Sequence, residues 1–193
     1  KFPHHECEIA QGCASTGKPP VNYWMHGNML TLNGRKMSKS TGNTVLPNEM
    51  FSGENDQLEK AYDPMVVRFF TMQAHYRSTL DFTSEALNAA EKGFDRLMDA
   101  IAALESLPVS AESSANVQNM VDSFYAAMND DFNAPILVAN LFESVKFINS
   151  VKDGKEKISA EDLKTLSNEI YAFVFNVLGL KQAVKVADSK LAP

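Results

Sequence analysis

Cysteine is scarce: Cys7 and Cys13 are the only two in 193 residues, too few for a disulfide framework and in keeping with a reducing compartment. No apolar run approaches the roughly 20 residues that a membrane-spanning helix needs. The opening Lys1-Phe2-Pro3-His4-His5 lacks both the apolar stretch and the small-residue cleavage pattern of a secretion signal. A soluble, cytoplasmic chain with no membrane partner is therefore expected. Methionine is absent from position 1, and Phe2-Pro3 reads as the middle of a loop, so a fragment of a longer protein is expected. Acidic residues are missing from Ile9 through Asn48, where Lys18, Arg35, Lys36 and Lys39 stand, whereas residues 49–193 carry 13 basic against 22 acidic residues. The net charge of -6 argues against a long polynucleotide track. A local basic loop on an acidic body suits a compact anionic ligand, with a chance gap in acid placement as the plain alternative.

What is present divides into two regions. With 45% hydrophobic and 22% charged residues the chain can bury a substantial core. His4 to about Ala14 favours a short helix, closed by Ser15-Thr16-Gly17-Lys18-Pro19-Pro20, where two prolines prevent continuation. Val21-Asn22-Tyr23-Trp24 reads as a brief buried strand. Met29 to Met37 forms two strand-like runs around Asn33-Gly34, a pair that supplies the positive φ angles of a tight hairpin turn. A loop of small polar residues, Ser38 to Asn43, follows. This first region resembles the tail end of an α/β domain.

After Asp63-Pro64 the pattern turns helical. Met65 through Tyr76 is mostly apolar, and four periodic segments succeed it. Leu87, Ala90, Phe94, Leu97, Ile101 and Leu104 share one helical face; Val117, Met120, Val121, Phe124 and Met128 share another. Leu137, Leu141, Val145 and Ile148 form a third stripe, and Leu163, Leu166, Ile170, Val174 and Val177 a fourth. Helix starts are expected at Ser84, at Asn133 with Pro135 in the first turn, and at the capping box Ser159-x-x-Asp162. Gly179 is a natural stop. The fold class expected is mainly α: the C-terminal remnant of a Rossmann-type α/β domain followed by an antiparallel helical bundle. Lys181 to Pro193 has no period and reads as a linker or disordered tail.

Chemistry concentrates in the first 45 residues. In His4-His5-Glu6-Cys7-Glu8, His4 and Glu8 are four apart on a helix and face the same way, the spacing of two ligands of one metal; His5 and Glu8, three apart, could also meet. Zinc needs at least three protein ligands, so this segment alone cannot close a site. Cys13 or residues outside the segment would have to contribute, and a capping or salt-bridge network of polar helix residues explains the same pattern. Lys36-Met37-Ser38-Lys39-Ser40, followed by Thr41-Gly42-Asn43, interleaves two lysines with hydroxyls in a glycine-bearing loop. Such a loop can present ammonium and hydroxyl donors to a polyphosphate and offset charge building on departing pyrophosphate. Neither GxxxxGK[ST] nor GxGxxG occurs.

Lys36-Met37-Ser38-Lys39-Ser40 is identified as the KMSKS signature of class I aminoacyl-tRNA synthetases. Phe2-Pro3-His4-His5-Glu6-Cys7-Glu8-Ile9-Ala10-Gln11, Tyr23-Trp24-Met25-His26, His75-Tyr76-Arg77-Ser78 and Asp130-Asp131-Phe132-Asn133-Ala134-Pro135 resemble the cysteinyl-tRNA synthetases in particular. The resemblance covers nearly the whole chain to about Gly179.

The resemblance implies a layout: residues 1–48 end the catalytic domain, 49–82 form a stem-contact segment, 83–180 a helical bundle and 181–193 a linker. It implies His4 and Glu8 as two zinc ligands, the other two being cysteines outside this chain, with Cys7 at a variable position. In such enzymes zinc takes the substrate thiolate and so distinguishes cysteine from serine. Lys39 is implied as the foremost ATP-binding residue, with Lys36 beside it for the phosphates and Met37, Ser38 and Ser40 completing the loop. Implied partners are cysteine, ATP with magnesium, and tRNA(Cys), bound by a monomer; Arg77 or Lys92 could touch the phosphate backbone. The HIGH signature is not in the sequence. The chain alone is accordingly expected to be inactive and to bind zinc weakly or not at all. Alternatives are a related ligase that passes activated cysteine to an amino sugar in mycothiol synthesis, and a stand-alone helical RNA-binding module.

Overall fold

The computed structural model describes residues 3–38, 40 and 42–181. Lys39, Thr41 and most of the expected tail lie outside the described residues. Helix α1 (His4–Thr16) ends where Gly17 takes a left-handed φ of 73° and donates its N–H to the Cys13 carbonyl. α1 buries none of its residues. Val21 to Trp24 is not a buried strand: Val21, Tyr23 and Trp24 are exposed and the segment is paired into no ladder. Short-range apolar pattern cannot distinguish a strand from an extended loop when no neighbouring strand offers hydrogen bonds.

The hairpin is as expected. β1 (Leu30–Leu32) pairs antiparallel with β2 (Arg35–Lys36), and the turn uses φ of 53° at Asn33 and 71° at Gly34. A third strand, β3 (Leu80–Phe82), pairs parallel with β1 and gives the order β2-β1-β3. Between them lie α2 (Pro47–Ser52) and α3 (Pro64–Thr71), the latter capped by Asp63 and carrying Pro64 in its first turn. A parallel pair needs a crossover connection; here it is residues 33–79, which include both helices.

Four helices form the bundle: α4 (Ser84–Ala103), α5 (Val117–Asn129), α6 (Ala134–Lys152) and α7 (Ala160–Tyr171). Asn133 and Ser159 cap α6 and α7 as the sequence predicts, but the expected capping box is not closed: the Ser159 N–H donates to the Ser113 hydroxyl, which itself donates to Asp162. At α4 the cap is Thr83, whose hydroxyl accepts the Ala86 N–H at 3.1 Å; Ser84 is the first helical residue and is buried, accepting the Glu59 N–H. The core is one cluster running from Leu32 and Tyr62 through Phe69, Phe94, Phe124, Leu141 and Leu166 to Leu180. Gly93 lets α3 approach α4 closely: a Cβ there would stand 3.3 Å from the Phe69 ring.

One stripe position departs from expectation. After Tyr171 the helix widens to a π-helix over Ala172–Val177, with the Leu178 N–H bonded to the Phe173 carbonyl five residues back. The wider turn changes the phase, leaving Val177 at 47% exposure and burying Leu178 instead. Arg68 Nε donates to the Leu178 carbonyl at 2.8 Å, and Gly179, at φ 62°, turns the chain away.

Candidate active site

The signature loop grows out of the hairpin. Lys36 is exposed on β2 opposite Thr31, and Met37 is half-buried against the core. Ser38 forms a bridge with Asn43, its N–H donating to the Asn43 carbonyl at 3.0 Å, and the Ser38 and Ser40 hydroxyls are 2.8 Å apart. Asp81 of β3 holds the hairpin from beneath. Its carboxylate accepts the Thr31 hydroxyl at 2.6 Å and the Gly34 N–H at 2.9 Å, satisfying turn donors that a two-strand hairpin leaves open.

The antiparallel register sends the chain beyond Lys36 back toward the Asn28 end of β1. At that end a cleft of about 540 Å³ is lined by Tyr23, Trp24, His26, Tyr76, Arg77 and Phe132 among others. Three segments far apart in sequence therefore meet: residues 23–28, the His75-Tyr76-Arg77 turn and the Asp131-Phe132 turn between α5 and α6. Asn28 joins the first two, its N–H donating to the Tyr76 carbonyl at 2.8 Å and its side chain to the Arg77 carbonyl at 2.7 Å.

Asp131 joins the second to the third. Arg77 grips its carboxylate through Nε at 2.6 Å and Nη2 at 3.2 Å, Tyr76 donates its hydroxyl at 2.7 Å, and His75 Nε2 lies 3.1 Å from the Asp131 carbonyl oxygen. The Arg77 and Tyr76 hydrogen bonds hold the Asp131 carboxyl down to about 2. The same bonds push Arg77 and Tyr76 upward. Asp131 and Phe132 both adopt left-handed backbone, φ 53° and 54°, unusual for two successive non-glycine residues. Arg77 is thus engaged in a bidentate ion pair, while Lys92 stands exposed on α4. In the sequence these segments are separate motifs; their convergence on one cleft is a tertiary result.

The expected metal ligands His4 and Glu8 both lie on α1, four residues apart. Glu8 is bonded by His5 Nδ1 at 3.0 Å, and His4 and Cys7 are exposed. His5 also packs edge-on against Trp24 and His26, with ring centroids 5.5 and 5.0 Å away. Among the described residues no three His, Cys, Asp or Glu side chains are grouped to hold a metal. His4 and Glu8 are thus at most two donors of a site that these residues do not close.

The family described as tRNA synthetases class I (C) catalytic domain matches residues 1–92, and the DALR domain matches residues 123–182. The LeuRS of Agrobacterium radiobacter K84, solved as a ternary complex with tRNA and LeuAMS, superposes with a TM-score of 0.55 at 15% identity, covering 86% of this chain and 22% of that one. That likeness concerns the fold. Residues 1–92 belong to the class I tRNA synthetase family.

Within that class its curated relatives bear the name Cysteine--tRNA ligase. That of Bacteroides fragilis is 50% identical over 191 residues, covering 99% of this chain and 39% of the relative. That of Parabacteroides distasonis is 52% identical over 188 residues, covering 97% and 38%, and that of Chlorobaculum tepidum is 41% identical over 194 residues, covering 100% and 37%. The chain spans about two fifths of the length of these relatives.

Proposed function

We propose that this segment serves the two-step charging of tRNA(Cys) with cysteine. In the first step the cysteine carboxylate attacks the α-phosphorus of ATP, and the bond to the bridging oxygen breaks to release pyrophosphate. In the second, a ribose hydroxyl at the tRNA terminus attacks the adenylate carbonyl and AMP departs. Lys36 and Lys39 offset charge on the departing pyrophosphate, and Met37, Ser38 and Ser40 shape the loop that presents them. No side chain of this segment has to act as a general base in either step. The observation that carries the reading is the signature loop on a hairpin whose strand β1 leads back to the cleft where three of the other family-like segments meet.

The layout that fits is residues 1–48 closing the catalytic domain, 49–82 as the stem-contact segment and 83–180 as the bundle that docks on tRNA. Helix α1 would supply His4 and Glu8 to a zinc site completed by other parts of the ligase. Magnesium enters with ATP. With one class signature and two metal donors, the 193 residues by themselves form no adenylate. The net charge beyond residue 48 opposes a stand-alone RNA-binding module.

The test is cysteine-dependent ATP–pyrophosphate exchange and transfer of labelled cysteine to tRNA by the full-length ligase, with Lys39→Ala beside it. The expected result is exchange and transfer in the unsubstituted enzyme, with adenylation reduced about 100-fold in the variant, the size of a lost transition-state contact. Adenylate without transfer to tRNA points instead to an amino-sugar acceptor. An unchanged rate in the variant removes Lys39 from the mechanism.

A further inference from the structure

The loop carrying the two lysines is fastened by one carboxamide. Asn43 Nδ2 lies 3.1 Å from the Lys36 carbonyl oxygen, 3.2 Å from that of Arg35 and 3.5 Å from that of Leu32. Its backbone carbonyl accepts the Ser38 N–H. Asn43 therefore joins the far end of the 38–43 loop to its beginning and to both strands of the hairpin. Two amide hydrogens directed at three carbonyl oxygens is a task for a donor of this shape. A carboxylate has no hydrogen to offer and would face three partial negative charges, and a methyl group would leave the carbonyls to water.

Beyond Asn43 the fastening continues through other amide side chains. Gln57 Nε2 donates to the Gly42 carbonyl at 3.1 Å, the Gln57 N–H donates to Asn55 Oδ1 at 2.9 Å, and Asn55 Nδ2 donates to Glu49 Oε2 at 2.9 Å. Glu49 in turn accepts the Leu46 N–H at the start of α2. The hydrogen bonds from Leu46 and Asn55 keep the Glu49 carboxyl below its ordinary range, so this end of the relay is an ionised acceptor at neutral pH. The loop is thus mounted on the hairpin at one end and on α2 at the other, by side chains none of which is a signature residue.

We propose that Asn43 is a positioning residue for nucleotide binding: by fixing the Lys36 backbone and closing the 38–43 loop it governs how the signature lysines grip a polyphosphate, without touching the nucleotide. The loop geometry stands independently, and the link to ATP rests on the function proposed above. Asparagine at this place joins segments by hydrogen bonds alone, so its loss should loosen the loop and leave the apolar bundle as it was.

Three measurements test this. In the 193-residue chain, Asn43→Ala should raise the rate of tryptic cleavage after Arg35, Lys36 and Lys39 at least 10-fold, with cleavage after Lys92 and the thermal midpoint of the helices unmoved. Asn43→Asp should do the same, and Gln57→Ala should raise loop cleavage by a smaller factor. In the full-length ligase, Asn43→Ala should raise KM for ATP at least fivefold in cysteine-dependent pyrophosphate exchange while KM for cysteine changes less than twofold. A general structural role would move both constants together. Unaltered loop cleavage in both Asn43 variants overturns the proposal, as does an unmoved KM for ATP in an exchange-competent variant. If the unsubstituted ligase shows no cysteine-dependent exchange, the functional reading itself falls and the proposal with it.

Discussion

The bundle and the segment before it are held together by different forces. Every residue of the α4 stripe from Leu87 to Leu104 is buried, and Phe124, Leu137, Ile148 and Leu166 are fully so. Helix α1, by contrast, buries nothing, and Val21, Tyr23, Trp24, Met25, Met29 and Leu30 are exposed. Apolar contact stabilises the bundle in a way no single residue controls. Apart from Leu32 in the core and Met37 packed against it, the region from α1 to the signature loop is held by a few polar ties: Asn28 to the Tyr76-Arg77 turn, Asp81 under the hairpin, Asn43 across the loop. Burial gives a stable frame, while directional hydrogen bonds fix a position without requiring bulk, which is what a loop that must meet a ligand needs.

This contrast can be broken most severely from the bundle side. Phe124→Ala removes a fully buried ring packed edge-on against Phe173, with centroids 5.5 Å apart. It should cost about 3–5 kcal/mol, read as a lower urea midpoint by far-ultraviolet circular dichroism. The next largest effect should follow Asp81→Ala, which withdraws the acceptor shared by Thr31 and Gly34. The Gly34 amide should exchange with deuterium at least 10-fold faster while the bundle amides keep their protection. Equal acceleration in both regions would show that the two are one cooperative unit.

The Asp131 clamp ties the two regions and gives a pH signature. Its carboxyl is lowered in the folded state, so its stabilising contribution is complete above the ordinary aspartate range near 3.8 and is lost as pH falls through about 2. Asp131→Asn, which keeps a residue tolerant of the left-handed backbone, should remove that dependence. The difference in thermal midpoint between the two proteins should shrink between pH 5 and pH 2. A constant difference over that range would show that the ion pair contributes nothing to it. The smallest effect belongs to His5→Ala. Because Trp24 is the only tryptophan, loss of the His5 ring should alter its fluorescence with no change in bundle stability.

Much of this was legible in the residues. Asn33-Gly34 marks the hairpin because both residues readily take the positive φ of a two-residue turn, and Asn133 and Ser159 mark helix starts because their side chains accept the N–H groups a helix leaves open. The four stripes were readable because burial of one face repeats with the helical period. Where the reading stopped, the missing information lay in distant contacts. β3 is three residues long and acquires meaning only beside β1. Val177 continues a regular spacing, and the change of phase that exposes it comes with a widened last turn. His4 and Glu8 have ligand spacing, but the nearer partner of Glu8 is His5, whose ring is itself oriented by Trp24 and His26.

The sequence by itself determined α1, the bundle helices, the hairpin and the family that the signature loop resembles, because each is specified by neighbours within a few residues or by the order of short motifs. Only the tertiary structure decided that residues 23–28, 75–77 and 131–132 share one cleft and that Asn43, Gln57 and Asp81 hold the loop. Those arrangements join groups up to about a hundred positions apart, through hydrogen bonds whose donors and acceptors carry no periodicity, and nothing in a linear pattern records which of them will meet.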